Sequence, residues 1–268
     1  MIDIHCHILH ALDDGPHHLD ASLQMAQDAA AQGVTVIVAT PHCSSDPGSL
    51  TADRITERTD DFIEHVAARA PGLRIVPGGE IFLDPGVPEM IAAGTLPTFG
   101  AAGKHVLVEL PRLYVPSWTA DVLFNIIARG FVPVLAHPER NHELSQRLDL
   151  LFNYITTGCL LQVTAGSLVG AYGPIAEEAA WRIIDHDICH FLASDAHSPT
   201  AYREVLPRAI EAARQRLGDE RSDALFTRNP GAVLNGAELS VPEPRRPESP
   251  RGGGGKRGFF GLFGGRRQ

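Results

Sequence analysis

The sequence is short of cysteine. Four are spread over 268 residues (Cys6, Cys43, Cys159 and Cys189), with no C-x-x-C spacing. In a chain this long they read as reduced, partly buried thiols, not as a disulfide framework. Long apolar runs are also missing. The longest, such as VTVIVA (34–39), have the length of a strand and cannot span a bilayer. Positive charge is scarce in the body of the chain. The formal net charge is −9, although residues 241–268 hold seven Arg/Lys against two Glu. Such an acidic body argues against a nucleic-acid groove, so no nucleic-acid partner is expected. It still admits an anionic substrate where metal ions reverse the local field. The first residues lack a basic segment followed by an apolar stretch, so no secretory signal is expected and the cytoplasm is the expected location. The glycine run GGGGKRG lacks the Ser/Thr after Lys and the preceding strand of a phosphate-binding loop.

What the chain does have is alternation. Short β-branched runs occur at 1–5, 34–40, 73–80, 105–110, 132–137, 160–165 and 190–195. Amphipathic stretches lie between them, including 21–33, 55–70, 120–130 and 174–187. Gly33 and Gly130 fall where helix C-termini favour glycine. Seven strand–helix units predict parallel strands with right-handed crossovers. Residues able to bind metal stand where nearly every strand ends. A ring fits this better than the single crevice of an open sheet, so a distorted (β/α)7 TIM-like barrel is expected. It would occupy residues 1–240. The segment 241–268, rich in Pro, Gly and Arg, cannot build a core and is expected to be a disordered basic tail.

The chemistry begins at DIHCHI. On a strand, residues i and i+2 face one side, so His5 and His7 point together and Cys6 points away. Alone, an H-x-H pair is a weak signal. The other strand ends strengthen it: His42, Glu80, Glu109, His137, and Asp195 with His197 in SDAH. A buried ring of unpaired ionisable groups would be costly, and metal ions remove that cost. With Asp14 from the DD behind the opening pair, the candidate ligands number nine. Nine suit two or three divalent ions, with carboxylates such as Glu80 bridging. His/Asp/Glu donors accept several such metals; manganese is placed first, with iron, cobalt or zinc as alternatives.

Taken in order, DIHCHI, DDGP, ATPH, GGE, VEL, AHPER and SDAH resemble the polymerase-and-histidinol-phosphatase (PHP) metal-dependent phosphoesterases. More closely, they resemble the CpsB/YwqE-type protein tyrosine phosphatases of bacterial capsule and exopolysaccharide clusters. The resemblance spans roughly residues 1–235, to the ending TRNPGAVLNG. It implies a PHP-fold barrel with a trinuclear site. One ion would be held by His5, His7, Glu80 and Asp195. A second would take Glu80, Glu109 and His137, and a third Asp14, His42 and His197. Asp13 is the alternative to Asp14, which the family pattern favours. The implied activity is hydrolysis of phosphotyrosine on a protein, with a bacterial tyrosine autokinase as the implied partner.

No cysteine is followed six positions later by arginine, which excludes the thiolate route to that reaction. A metal-activated water attacking phosphorus in line is expected instead. Arg140, three residues past His137, and Arg203, six past His197, are the candidates to grip phosphate. Relatives carry an arginine after DAH, commonly followed by proline; SPTAYREVL departs from that spacing. Alternatives are another PHP phosphoesterase, such as histidinol-phosphate phosphatase, and a catalytically silent metal-binding scaffold. The tail's GFFGLFGG between KR and RR reads either as an inert flexible segment or, because the resembled family acts on a membrane-associated tyrosine kinase, as a weak contact with an anionic membrane.

Overall fold

Strand β1 (Ile2–Cys6) lies parallel to β2 (Val36–Ala39), and β2 lies parallel to β4 (Arg74–Pro77) in a computed structural model that describes residues 1–100 and 103–247. A second sheet holds β3 (His42–Cys43), β5 (Glu80–Phe82), β6 (His105–Glu109), β7 (Val132–Ala136), β8 (Leu160–Thr164) and β9 (Phe191–Ala193) in that order, again all parallel. β3 continues the path of β2, and β5 that of β4, so seven strand positions result. The ring closes where Cys6 bridges Ala196. There Asp195 N–H donates to His5 O and His7 N–H to Ala196 O, both at 2.9 Å. This is the expected (β/α)7 barrel, and its distortions have identifiable causes. Pro41, between β2 and β3, has no N–H to offer a ladder. Gly78 and Gly79 interrupt the third strand position because the chain passes too close to its neighbours for a side chain. A Cβ on Gly79 would sit 2.4 Å from Pro97 Cγ, and one on Gly78 2.6 Å from Val38 Cγ1.

Helices α1 (Leu19–Ala31), α2 (Ala52–Arg69), α3 (Val87–Ala92), α4 (Thr119–Ala128), α5 (Leu148–Thr156), α6 (Pro174–Asp185) and α7 (Leu206–Leu217) follow the strands. The short α8 (Asp219–Asp223) and α9 (Asn229–Leu234) complete the described order. In α2, Thr51 accepts from Arg54 N–H as N-cap, and Ile55, Thr59, Phe62 and Val66 form the buried stripe. Gly33 (φ 81°) and Gly130 (φ 87°) turn the chain just past α1 and α4. No helix among the described residues is long and apolar enough to cross a membrane.

Two apolar clusters hold the barrel. The larger packs strands against helices and contains Cys6 and Cys43. The smaller plugs the barrel floor with Ile4, Val38, Leu107, Val134, Phe191 and, from α9, Val233 and Leu234. Each fully buried Ile, Leu or Phe there contributes roughly 1.5–3 kcal/mol. With the floor apolar, the opposite end of the same interior is left for polar groups. Residues 241–247 form no helix or strand; Arg245 N–H donates to His186 O (2.8 Å), and its Nε meets Asp187 Oδ2 at 2.7 Å. Residues 248–268, and with them most of the expected disordered, membrane-contacting tail, lie outside the described residues.

Candidate metal centre

A bulge in β1 sets the site. Asp3 pairs with Ile37 and Cys6 with Ala39, so Ile4 and His5 together oppose the single Val38. Ile4 thereby joins the apolar floor while His5 meets the polar end above it. Asp3 turns the other way. It is fully buried, accepts from Ser194 N–H (3.0 Å) and the Tyr202 hydroxyl (2.7 Å), and so clamps the β1–β9 seam.

His5 Nε2 and His7 Nε2 lie 3.3 Å apart. Both are 3.2 Å from Glu80 Oε2, and Asp195 Oδ1 is 3.3 Å from the first and 3.6 Å from the second. All four side chains are buried. Each histidine is fixed by its other ring nitrogen. His5 Nδ1 donates to Gln162 Oε1 (2.8 Å) and His7 Nδ1 to Asp13 Oδ2 (2.7 Å). That leaves both Nε2 atoms for the cluster. Towards the rim, His42 Nδ1 is 3.2 Å from both Glu80 Oε2 and Glu109 Oε1. Asp14 Oδ1 is 3.1 Å from His197 Nε2 and 3.4 Å from His42 Nε2. His137 Nε2 is 2.6 Å from Glu80 Oε1 and 4.0 Å from Glu109 Oε2. His137 (φ 32°) and Asp195 (φ 52°) adopt the left-handed backbone that non-glycine residues rarely take, as strained positions at functional sites often do.

The electrostatics suit a cation. Burial alone would lower the histidines, but Glu80 and Asp195 outweigh it at His5, which is raised to about 9. At His7, Asp13 and Glu80 outweigh burial and raise it to about 10. Burial would likewise raise Glu80, yet His5 and His137 hold its carboxyl well below the usual range. The cluster therefore draws in positive charge. A proton satisfies one N···O contact at a time, whereas a divalent ion satisfies several convergent donors together. Among the described residues, three donor sets each bring their atoms within 4.8 Å of one another: His5, His7, Glu80, Asp195; His7, Asp14, His42, His197; and His42, Glu80, Glu109.

All nine residues singled out in the sequence as ligands meet here. Asp13 stands behind them, accepting from His7 and from His42 N–H (3.0 Å), while Asp14 faces the donors. Arg140 reaches the cluster. Its guanidinium pairs with Asp195 and lies over the Tyr172 ring, 4.2 Å from the centroid. Arg203 does not. It lies on a π-helical turn (Ala201–Val205), and its ion pair among the described residues is with Asp28 of α1 at 4.0 Å. The cause is its neighbour: Tyr202 is fully buried against Asp3, so the next side chain turns outward. Sequence reasoning missed Gln162. Its signal was an amide inside a strand otherwise of Leu, Val and Thr.

The family described as capsular polysaccharide synthesis, CpsB/CapC, matches residues 1–235. The chain belongs to the CpsB/CapC family. Tyrosine-protein phosphatase YwqE of Bacillus subtilis is 31% identical over 263 residues, covering 98% of this chain and 100% of that protein. The putative tyrosine-protein phosphatase CapC of Staphylococcus aureus is 30% identical over the same shares. Crystal structures of YwqE from Bacillus subtilis and CpsB from Streptococcus pneumoniae, described as unique metal-dependent tyrosine phosphatases, superpose with a TM-score of 0.85 and 30% identity, covering 93% of this chain and 100% of the solved one. A β-aspartyl dipeptidase of Fervidobacterium islandicum (TM-score 0.52, 15% identity, 87% of this chain and 72% of that one) shares the fold alone. Family membership thus meets the geometry: a CpsB/CapC chain with a buried, cation-seeking cluster at the open end of its barrel.

Proposed function

We propose that this chain is a metal-dependent protein-tyrosine phosphatase serving capsule or exopolysaccharide synthesis. The observation that carries it is the convergence of His5, His7, Glu80 and Asp195 around one point, with Arg140 at its edge, in a CpsB/CapC chain. One divalent ion is assigned to those four residues, a second to Glu80, Glu109 and His137, and a third to Asp14, His42 and His197. Ions held there supply a water nucleophile near neutral pH and offset phosphate charge. The remaining work falls to the chain. Gln162 and Asp13 fix the ligand tautomers. Arg140, always charged, presents a planar fork to two phosphate oxygens. The buried walls keep bulk water from weakening these contacts. Manganese is the leading candidate among metals that accept His/Asp/Glu donors.

The substrate proposed is a phosphotyrosine protein, with a bacterial tyrosine autokinase as the partner. A cytoplasmic setting accords with four free, buried cysteines. The test is hydrolysis of a phosphotyrosine peptide beside histidinol phosphate after reconstitution with Mn²⁺, Fe²⁺, Co²⁺ or Zn²⁺, with His5→Ala as control. Turnover of the peptide, lost in His5→Ala, is expected. No peptide turnover with any of the four metals would falsify the proposal, and preference for histidinol phosphate would move the chain to another branch.

A further inference from the structure

A cleft of about 320 Å³ opens on the same rim, across Arg140 from the metal donors. Three loops wall it. Arg112 and Leu113 follow β6, Glu139 and Arg140 follow β7, and Tyr172 precedes Ile175 at the start of α6. Arg140 belongs to both places, pairing with Asp195 on one side and covering Tyr172 on the other. The cleft's lip is apolar and open: Leu113 is 74% exposed, Ile175 62% and Tyr172 41%. Its buried end is polar. Glu139 is 1% exposed; Oε1 accepts from Thr164 N–H (3.0 Å) and the Ser167 hydroxyl (2.7 Å), but Oε2 is buried with no partner among the described residues. A buried polar oxygen so placed calls for a hydrogen-bond partner. Arg112 and Arg140 make the walls cationic, which repels a lysine seeking that oxygen and favours an aromatic face.

We propose that this cleft binds an aromatic side chain with a hydrogen-bonding group at its tip, above all tyrosine, from a residue flanking the substrate's phosphotyrosine. The ring packs on Leu113, Ile175 and Tyr172, and the hydroxyl hydrogen-bonds with Glu139 Oε2. Because the two sites share Arg140, one extended peptide reaches both: a residue one or two positions away lies within about 7 Å along the chain. The inference rests on the phosphatase proposal.

Binding is measured for peptides carrying a phosphonate analogue of phosphotyrosine, with Tyr, Phe, Ala or Lys one or two residues away on either side. At one of these positions Tyr binds about tenfold tighter than Ala, Phe falls between them, and Lys gains nothing. The exposed double variant Leu113→Asp/Ile175→Asp loses this preference while hydrolysing free phosphotyrosine at the wild-type rate. Equal binding of Tyr and Ala at every position, or a preference that survives the double variant, overturns the cleft assignment alone. Failure of the wild type to hydrolyse any phosphotyrosine overturns the phosphatase proposal, and the cleft assignment falls with it.

Discussion

Gln162 offers a test of how much of the site is built by residues that never touch metal. Its Oε1 accepts from His5 Nδ1 at 2.8 Å inside the barrel, and its Nε2 is buried with no partner among the described residues. Gln162→Leu keeps the volume and removes both features. Leaving His5 Nδ1 without an acceptor costs about 1–3 kcal/mol, and deleting the unpaired amide nitrogen returns about the same. The net change in stability of the metal-free protein is therefore within about 1 kcal/mol, or roughly 2–4 °C in Tm for a chain of this size. Metal binding has no such compensation. His5 loses the bond that fixes its tautomer and ring plane, and such losses typically cost about 10- to 100-fold in affinity. Calorimetric titration of the apo protein with Mn²⁺, beside melting in EDTA, separates the two. Wild-type Mn²⁺ affinity in the variant would refute the orienting role. A loss of more than about 3 kcal/mol in EDTA would show that the amide serves the fold instead.

Three further outcomes are expected. Arg140→Ala lowers kcat/KM on phosphotyrosine peptide by about 100-fold or more through loss of the phosphate fork, with Arg140→Lys intermediate; steady-state kinetics at saturating metal decide it, and wild-type kcat/KM in Arg140→Ala would remove the fork. His190 is 4% exposed and accepts from Leu161 N–H at Nδ1 (3.1 Å), and burial lowers it to about 4. The unfolded chain therefore takes up this proton first as pH falls, so stability present above about 6.5 is lost down to about 4, at up to about 1.4 kcal/mol per pH unit. His190→Asn removes that part of the slope in urea titrations run across the window, and an unchanged slope would show that His190 does not carry it. Deleting 248–268 removes five Arg/Lys but keeps the Arg245 contacts. Binding to anionic vesicles falls at least tenfold if the tail touches membrane, and unchanged binding ends that idea.

What was legible in the sequence divides along physical lines. The seven strand positions were legible because β-branched runs bounded by glycine and proline report burial and pleat directly. The donors were legible because six of the β-branched runs close on, or lead within two residues to, His, Asp or Glu. What escaped was set by irregularity. Strict alternation from His7 and His5 would carry Asp3 into the barrel, yet the bulge turns Ile4 inward and sends Asp3 out to Tyr202 and Ser194. Glu80 and His42 do not end strands; they begin new segments after Gly78–Gly79 and Thr40–Pro41. Arg203 follows its histidine closely in sequence, as Arg140 does, but a π-turn and a buried tyrosine point it to Asp28. Gln162 carries no charge and no metal-ligand chemistry, so only its neighbours in space give it a role. Local pattern thus shows which residues hold charge at the mouth of the barrel. The bulge and the strand breaks, which depend on contacts between distant segments, determine which atoms meet.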